Sequence, residues 1–231
     1  MNIDARPRRQ YRLVADQILA LASGHGLGPG DRLPSERDLS DALGVSRPSL
    51  REALIALEVE GRVEIRMGSG VYLVESATPA PGRSEGEGPM EILQARAIVE
   101  SAIAEEAARQ ASPMLVAALD ANLHQMGLAL NDTPRAIALD GAFHQTVAAS
   151  LGNALLTNFT VAIYEKRLSP LFARFSSHFE GPRSWRLALA EHGAIRDAIA
   201  LSDPGAAREA MRHHLNESAR RYTESLLADQ S

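Results

Sequence analysis

The feature that most constrains this chain is a stretch with almost nothing to bury, ATPAPGRSEGEGP at residues 77–89. Its proline, glycine, serine and glutamate are typical of a linker between folded segments. Before it, residues 8–76 contain short apolar segments separated by glycine and proline. After it, residues 90–229 are rich in alanine, leucine and glutamate at helical spacing. We therefore predict two domains, 8–76 and 90–229, joined by the linker.

The overall composition excludes several classes of protein. The 231 residues are 45% hydrophobic and 23% charged, which is typical of a folded soluble chain and not of a disordered one. No apolar run approaches the roughly 18 residues of a membrane span, and the N-terminus lacks the apolar segment of a secretory signal. Cysteine is absent, which excludes disulfides, thiolate metal sites and cysteine nucleophiles. We expect a cytoplasmic protein with no membrane partner.

The charge distribution shows no bulk basic character. Net charge is −5, and the first 75 residues hold ten arginines against eleven acidic residues. Any contact with nucleic acid must therefore come from local placement of charge. Lys166 is the only lysine. Arginine suits phosphate and guanine edges, although the base composition of the genome is an alternative explanation of this bias.

The first domain has the pattern of a winged helix-turn-helix. Apolar residues at a period of 3.6 predict helices over about residues 10–23, 35–44 and 46–61. Alternating apolar residues on either side of a glycine turn predict a β-hairpin over residues 63–73. Three helices and a hairpin, with a tight turn between the second and third helices, make up that fold.

The second domain reads as all-helical, so the fold class is mostly α. Pro170 is expected to kink or divide the fourth helix. Six helices are predicted, or seven if that division occurs, at about residues 90–111, 113–130, 134–150, 153–176, 182–201 and 203–229.

The N-terminal turn of the third helix is the candidate DNA reader. A helix N-terminus carries unpaired N–H groups that favour phosphate, and a helix fits the major groove. Arg47 and Arg51 are four residues apart, which predicts that they share one helix face. The alternative is an arginine-bearing face that only meets solvent.

The stretch LPSERDLSDALGVSRPSLREALIALEVEGRV closely resembles the GntR family of bacterial transcription regulators. The family's Pro-Ser-Glu-Arg turn, Val-Ser-Arg helix start and Arg-Glu-Ala-Leu continuation all occur here in one register. The resemblance implies binding to a double-stranded DNA operator. Met67, beside Gly68 in the wing, departs from the polar residue often found there. The resemblance maps DNA contacts onto Arg37, Ser46, Arg47, Ser49 and Arg51, and a minor-groove contact onto Gly68.

Four residues of the second domain form a candidate metal site. Asp140 and His144 share the apolar face of the third helix of that domain, and His192 and His214 each lie on an apolar face of a later helix. An unpaired carboxylate on such a face would be costly to bury. One oxygen and three nitrogen ligands suit Zn²⁺ or Ni²⁺, and the sequence does not rank these divalent ions.

The second domain also resembles the ligand-sensing FCD domain of the FadR branch of the GntR family. The resembling segments are D-x-x-F-H at Asp140–His144, E-H-x-x-I at Glu191–Ile195 and M-x-x-H-L at Met211–Leu215. The resemblance implies that Asp140, His144, His192 and His214 are metal ligands. It also implies that Arg96 contacts an effector, with Arg167 a weaker candidate. The alternative for Arg96 is a salt bridge to Glu100, four residues on.

These inferences predict a homodimeric regulator, in its simplest form a repressor, that reads an inverted repeat. A small organic acid or sugar acid would bind near the metal and alter DNA binding. The alternative is a metal-dependent enzyme with a DNA-binding appendage, but no H-E-x-x-H motif or nucleophile elbow is present. A purely structural metal is a further alternative for the site itself.

Overall fold

The computed structural model describes residues 10–66, 68–75 and 87–224, with side chains as far as residue 221. Met67, most of the predicted linker and the outermost residues of both predicted domains lie outside this range. The chain divides into two compact units. One contains the chain as far as Met90, Ser169–Phe175 and the segment from Tyr222 onward, and the other contains Glu91–Leu168 and Ser176–Arg221.

Three helices begin the first unit at the places that the apolar periodicity predicts. Their apolar faces pack into one core, to which Val63 and Leu73 of the wing strands also contribute. The third helix lies at the centre, in contact with both of the others and with the first strand. The helices are α1 (Gln10–Gly24), α2 (Glu36–Leu43) and α3 (Arg47–Val59).

The tight turn between α2 and α3 is set by local chemistry. Ser46 caps the N-terminus of α3, where its side chain accepts the Ser49 N–H, and Ser35 caps α2 in the same way. Such caps satisfy backbone donors that a helix start leaves unpaired. Gly44 ends α2 at a φ of 63°, a left-handed conformation that favours glycine. The chain is thereby turned sharply before α3 begins.

The wing is a two-stranded antiparallel hairpin of β1 (Val63–Arg66) and β2 (Gly70–Leu73). Val63 pairs with Leu73, and Arg66 pairs with Gly70 across the turn. An isolated bridge from Arg32 to Tyr72 extends the sheet by one residue. The winged helix-turn-helix prediction is confirmed.

After residue 88, all regular structure in the described part of the chain is helical, as predicted. Within that part, no helix is both long and apolar enough to cross a membrane. The helices are α4 (Pro89–Arg109), α5 (Pro113–Leu128), α6 (Thr133–Ala149), α7 (Ala154–Glu165), α8 (Pro170–Ser177), α9 (Pro182–Ala200) and α10 (Pro204–Glu224).

Pro170 divides the predicted fourth helix of the second domain in two. Helix α7 ends at Glu165, a 3-10 turn spans Lys166–Leu168, and α8 begins at Pro170 itself. Proline lacks an N–H and disfavours helical geometry in the residue before it, so the helix stops at that point. Of the two predicted arrangements, the one with seven helices is observed.

The second unit has a core of small and branched side chains from α4, α5, α6, α9 and α10. Several positions that face this core are alanines with no exposed surface, which lets the helices approach closely. The same helices carry the predicted metal ligands. The buried core residues are Ile103, Ala104, Ala107, Ala108, Leu115, Leu119, Phe143, Val147, Ala148, Ile195, Ala198, Ile199, Ala207, Met211 and Leu215.

Substitution of glycine by alanine should change the stability of the second unit in opposite directions at two positions. Gly152 follows α6 with a φ of 63°, Gly193 lies inside α9, and a Cβ at either position would meet nothing within 4 Å. Gly152→Ala should destabilise the unit by about 1 kcal/mol because alanine resists the left-handed conformation. Gly193→Ala should stabilise it by about 0.5–1 kcal/mol because alanine favours a helix. Urea denaturation of metal-free protein measures both, and changes of the same sign would contradict this account.

Candidate DNA-binding surface and metal centre

The N-terminal end of α3 presents polar side chains to solvent. Ser46 and Arg47 are exposed, and Ser49 is half-buried. Arg37 is exposed in the first turn of α2. The Ser46 and Ser49 hydroxyls lie 2.9 Å apart, so these serines shape the helix start as well as face solvent. Three of the predicted DNA contacts therefore lie at the N-terminal end of α3, and a fourth, Arg37, lies in the first turn of α2.

Arg51, predicted to share a helix face with Arg47, does not lie on that exposed surface. Its side chain has no exposed surface, and its Nε donates to Glu36 Oε2 at 2.8 Å. The reason is the central position of α3, whose residues from Leu50 to Leu57 are all buried. Both Nη atoms of Arg51 are buried without a hydrogen bond to any residue that the structure describes.

The wing turn exposes Gly68, the predicted minor-groove contact, at a φ of 69°. Arg66, on the adjacent strand, pairs with Glu64 at 2.7 Å and stacks on the Tyr72 ring at 4.4 Å from its centroid. Met67, whose apolar character departs from the family pattern, is outside the described residues. The turn therefore presents backbone and a paired arginine to solvent.

All four predicted metal ligands meet in the second unit. Asp140 and His144 come from α6, His192 from α9 and His214 from α10. One ligand atom from each lies within 4.8 Å of the other three, and all four side chains are buried. The apolar faces on which the sequence placed them are the faces that build the core. The convergence predicted from three separate helices is thus present in the fold.

Two of the distances within the cluster match those between ligands of one ion. His192 Nε2 lies 3.3 Å from His144 Nε2 and 3.4 Å from Asp140 Oδ1. His144 Nε2 lies 3.9 Å from the same carboxylate oxygen. Ligands about 2.0–2.1 Å from one tetrahedral zinc are roughly 3.3–3.4 Å apart. The donor set and its spacing therefore suit a divalent cation, whose charge would offset the burial of Asp140.

The second oxygen of Asp140 is held by two further side chains. Arg167 Nη1 donates to Oδ2 at 3.0 Å, and the Tyr164 hydroxyl bonds the same oxygen at 2.9 Å. Tyr164 also lies 2.5 Å from the Ile137 carbonyl oxygen, and Arg167 pairs with Glu180. These contacts leave Oδ1 directed toward the histidines. Arg167, predicted to contact an effector, therefore holds the carboxylate of a predicted metal ligand.

Ionisation in the cluster favours metal binding. Burial would raise the pKa of Asp140, but Arg167 and the neighbouring imidazoles hold that pKa well below its usual range. Burial lowers the pKa of His192 well below its usual value, and burial also lowers that of His214, against the opposing effect of Glu191. An ionised Asp140 carboxylate and the neutral forms of His192 and His214, which these pKa shifts favour, are the protonation states that bind a metal.

Two glutamates lie behind the histidines, of which Glu100 is buried and Glu191 is half-buried. Glu191 Oε2 is 2.8 Å from His214 Nδ1, and Glu100 Oε2 is 2.5 Å from His144 Nδ1. Burial would raise the pKa of Glu191, but hydrogen bonds from His214 and Arg221 lower it to about 2. Burial likewise opposes ionisation of Glu100, whose pKa Arg96 and His144 lower to about 2. Both side chains are therefore carboxylates at neutral pH.

Arg96, the other predicted effector contact, forms the salt bridge considered as its alternative. Its Nε donates to Glu100 Oε1 at 2.7 Å and its Nη2 to Oε2 at 3.3 Å. Both side chains are 2% exposed. The guanidinium also lies over the Tyr164 ring, 5.1 Å from the centroid. Arg96 therefore pairs with Glu100 and also lies near the predicted metal ligands.

Sequence reasoning did not assign Glu100, Glu191, Tyr164 or Arg221 to the site. Weak signals existed for two of them. Glu191 precedes His192 but points away from it, toward a histidine of another helix, and Tyr164 lies three residues before Arg167. Nothing in the sequence pairs Arg221 with Glu191, because that contact depends on how α9 and α10 pack.

Gly141 controls the approach of Tyr164 to Asp140. A Cβ at residue 141 would lie 2.6 Å from a Tyr164 ring carbon, so Gly141→Ala must displace the ring. We expect a loss of about 1–3 kcal/mol in the free energy of unfolding, together with weaker metal binding as the hydroxyl leaves Asp140. Tyr164→Phe keeps the ring and removes only the hydroxyl, so it should be the milder change. Denaturant titration measures the stability of both variants, and metal titration measures their metal affinity. A Gly141→Ala protein with the stability and metal affinity of wild type would contradict the packing argument.

Comparisons with known proteins agree with this architecture. The FCD domain profile matches residues 91–217, and that of the bacterial regulatory proteins of the gntR family matches residues 10–73. The Uxu operon transcriptional regulator of Escherichia coli K12 is 32% identical over 226 residues, covering 94% of this chain and 88% of that protein. The Uxu operon regulator of Haemophilus influenzae is 36% identical over 221 residues, covering 93% and 82%. The Exu regulon transcriptional regulator of E. coli K12 is 34% identical over 220 residues, covering 92% and 84%.

A solved structure also shares the fold. E. coli McbR/YncC superimposes with a TM-score of 0.52 at 19% identity, covering 93% of this chain and 97% of that one. At that identity the likeness concerns the fold alone. The sequence relatives extend over both units and have the names of transcriptional regulators. The chain is a member of the GntR family of bacterial regulatory proteins and carries an FCD domain.

Proposed function

We propose that this regulator binds an operator through its winged helix-turn-helix, as a repressor, and that a small carboxylate metabolite alters this binding. The metabolite would bind near a divalent metal held by the FCD domain. The observation that carries the proposal is the convergence of four ligand atoms within 4.8 Å in a buried site, in a chain that also exposes arginines at a helix N-terminus. Relatives named for the Uxu operon and the Exu regulon support control of particular operons.

The proposed DNA contacts are made by the N-terminal end of α3 and by the wing. Arg47 and Arg37 are exposed and can reach phosphates or base edges. Ser46, Ser49 and Gly68 complete the surface, with the serine hydroxyls and the wing backbone as hydrogen-bonding groups.

Arg51 is included among the proposed DNA contacts only if its guanidinium becomes exposed. Its guanidinium is buried and paired with Glu36, so it can reach DNA only after a local rearrangement uncovers it. Two buried Nη atoms without a hydrogen bond in the described part of the chain favour a donor that gains its acceptor in the complex, because unmade hydrogen bonds are costly.

The proposed metal is Zn²⁺ or Ni²⁺, bound by Asp140, His144, His192 and His214. When bound, it would supply an electrophilic centre that attracts an effector carboxylate. Arg96 adds a nearby positive charge, and its Nη1 makes no hydrogen bond to the residues that the structure describes. Arg167 is the lesser candidate, since it already holds Asp140. The proposed effector is accordingly a small organic acid or sugar acid.

A homodimer is the proposed working form, because a two-fold protein matches an inverted-repeat operator. Leu155 and Phe159 support it, since they lie four residues apart on α7 with 80% and 41% of their surface exposed. We propose no catalytic activity. Turnover of candidate acids by metal-loaded protein, above a metal-free control, would instead support the enzyme alternative. Because the proposed partner is operator DNA, the proposed site of action is the cytoplasm.

Arg47→Ala should weaken operator binding at least tenfold and leave the fold unchanged. Loss of a phosphate contact also lowers the steepness of the salt dependence by about one, whereas loss of a base contact relaxes the sequence preference. Arg212→Ala is the matched control, because Arg212 is an exposed arginine of α10 paired with Glu209. The operator is first selected from random oligonucleotides, and affinity is then measured at several salt concentrations. Equal affinities for wild type and Arg47→Ala would contradict the proposed surface.

Two adjacent histidines test the metal site. His214 is 2% exposed and belongs to the cluster, whereas His213 is exposed. Added Zn²⁺ at 100 times its Kd should stabilise wild type and His213→Gln by about 2.7 kcal/mol. His214→Gln should lose most of this stabilisation.

Thermal unfolding with and without metal reads out this comparison, and the same assay screens organic acids for the effector. An acid that stabilises metal-loaded wild type more than stripped protein supports a site near the metal. Equal stabilisation of His213→Gln and His214→Gln by Zn²⁺ would contradict the assignment of His214.

A further inference from the structure

The ligand histidines differ in what lies behind them. His214 Nδ1 is 2.8 Å from Glu191 Oε2, with the geometry of a hydrogen bond. His144 Nδ1 is 2.5 Å from Glu100 Oε2, but the ring N–H is poorly directed at that oxygen. His192 Nδ1 is buried and has no hydrogen-bond partner among the described residues. Glu191 therefore makes the best-defined outer contact of the three rings.

Glu191 is itself fixed in place by an arginine. Arg221 Nη1 donates to Glu191 Oε1 at 2.5 Å, and Arg221 Nη2 donates to Oε2 at 3.1 Å. Nη2 lies 3.0 Å from the Ser218 hydroxyl, which orients the guanidinium. A two-pronged pairing of this kind restrains a carboxylate more tightly than a single bond. The result is a chain of contacts from Ser218 through Arg221 and Glu191 to His214.

This chain of contacts favours the form of His214 in which Nδ1 carries the proton. A neutral imidazole has one N–H, and a carboxylate beside Nδ1 places it there. Nε2 is then left with its lone pair, and the ring is held at a fixed angle. Its centroid lies 4.2 Å from that of His192 and 5.3 Å from that of His144.

We propose that Glu191 is a positioning residue for the metal: it accepts the Nδ1–H of His214 and thereby presents Nε2 to the other three ligands. Arg221 acts one step further out by holding Glu191. This inference rests on the metal site proposed above. It predicts that Glu191 affects metal affinity although it is not a ligand, as outer carboxylates do at other histidine sites.

Metal affinity at fixed pH tests the role of Glu191. The full chain is stripped with chelator and titrated with Co²⁺, followed by visible absorbance, and with Zn²⁺, followed by calorimetry. Glu191→Ala should weaken binding about 10- to 100-fold. Glu191→Gln should lie between wild type and Glu191→Ala, because its amide oxygen still accepts the Nδ1–H but has no charge. Glu209→Gln, an exposed glutamate of α10 paired with Arg212, is the control and should bind within twofold of wild type.

A second measurement separates positioning from general stability. Long-range proton–nitrogen spectra of the histidine rings in metal-free protein report which nitrogen is protonated. Wild-type His214 should be the Nδ1–H form, and Glu191→Ala should give a mixture of both forms. This spectrum applies to Glu191→Gln and Arg221→Gln as well, should Glu191→Ala fail to fold by circular dichroism.

The outcomes are distinguishable. A wild-type chain that binds neither Co²⁺ nor Zn²⁺ overturns the proposed metal site. Wild-type binding together with unchanged affinity and an unchanged His214 spectrum in the Glu191 variants overturns the positioning role alone. Weaker binding with a shifted proton form in those variants, and not in Glu209→Gln, supports it.

Discussion

Burial of one carboxylate and three imidazoles in an alanine-rich helical core is the constraint on which the second unit depends. Such groups are tolerated away from water only when charges and hydrogen bonds compensate them. Asp140 receives Arg167 and Tyr164 on one oxygen, and the histidines face its other oxygen. The residues that surround these contacts are small or apolar, so the helices pack closely around the site. The packing of this unit and the chemistry of its site therefore depend on each other.

The first unit differs, because it exposes the N-terminal end of α3 while burying the rest of that helix. Residues from Leu50 to Leu57 of α3 are all covered, whereas Ser46 and Arg47 remain at the surface. Serine caps and a left-handed glycine fix the entry to the helix without large side chains. The exposed end can then be rigid, as recognition by shape and hydrogen bonding requires.

The features that the sequence predicted correctly are those set locally. Ser35, Gly44 and Ser46 mark helix ends by their own chemistry, and Asp140 and His144 were placed inward because apolar residues recur on their face of α6. The burial of Arg51 was not predicted, because helical spacing shows which residues share a face but not how many neighbouring elements cover the helix. Glu36, which pairs with it, lies on a different helix.

The side chains that surround the candidate metal site could not be predicted from the sequence, for a related reason. Glu191 meets His214 only when α9 packs beside α10, and no spacing within one helix encodes that contact. Arg96 and Glu100 are the instructive contrast, since both lie on α4 four residues apart and their pairing was foreseen as an alternative. Contacts within an element are readable from spacing, whereas contacts between elements require the packed structure.

The 3-10 turn between α7 and α8 places the only lysine of the chain, Lys166, at an exposed position next to Arg167. Arg167 in turn holds the carboxylate at the centre of the second unit. A label attached to the Lys166 side chain would therefore lie one residue away from the arginine that holds Asp140.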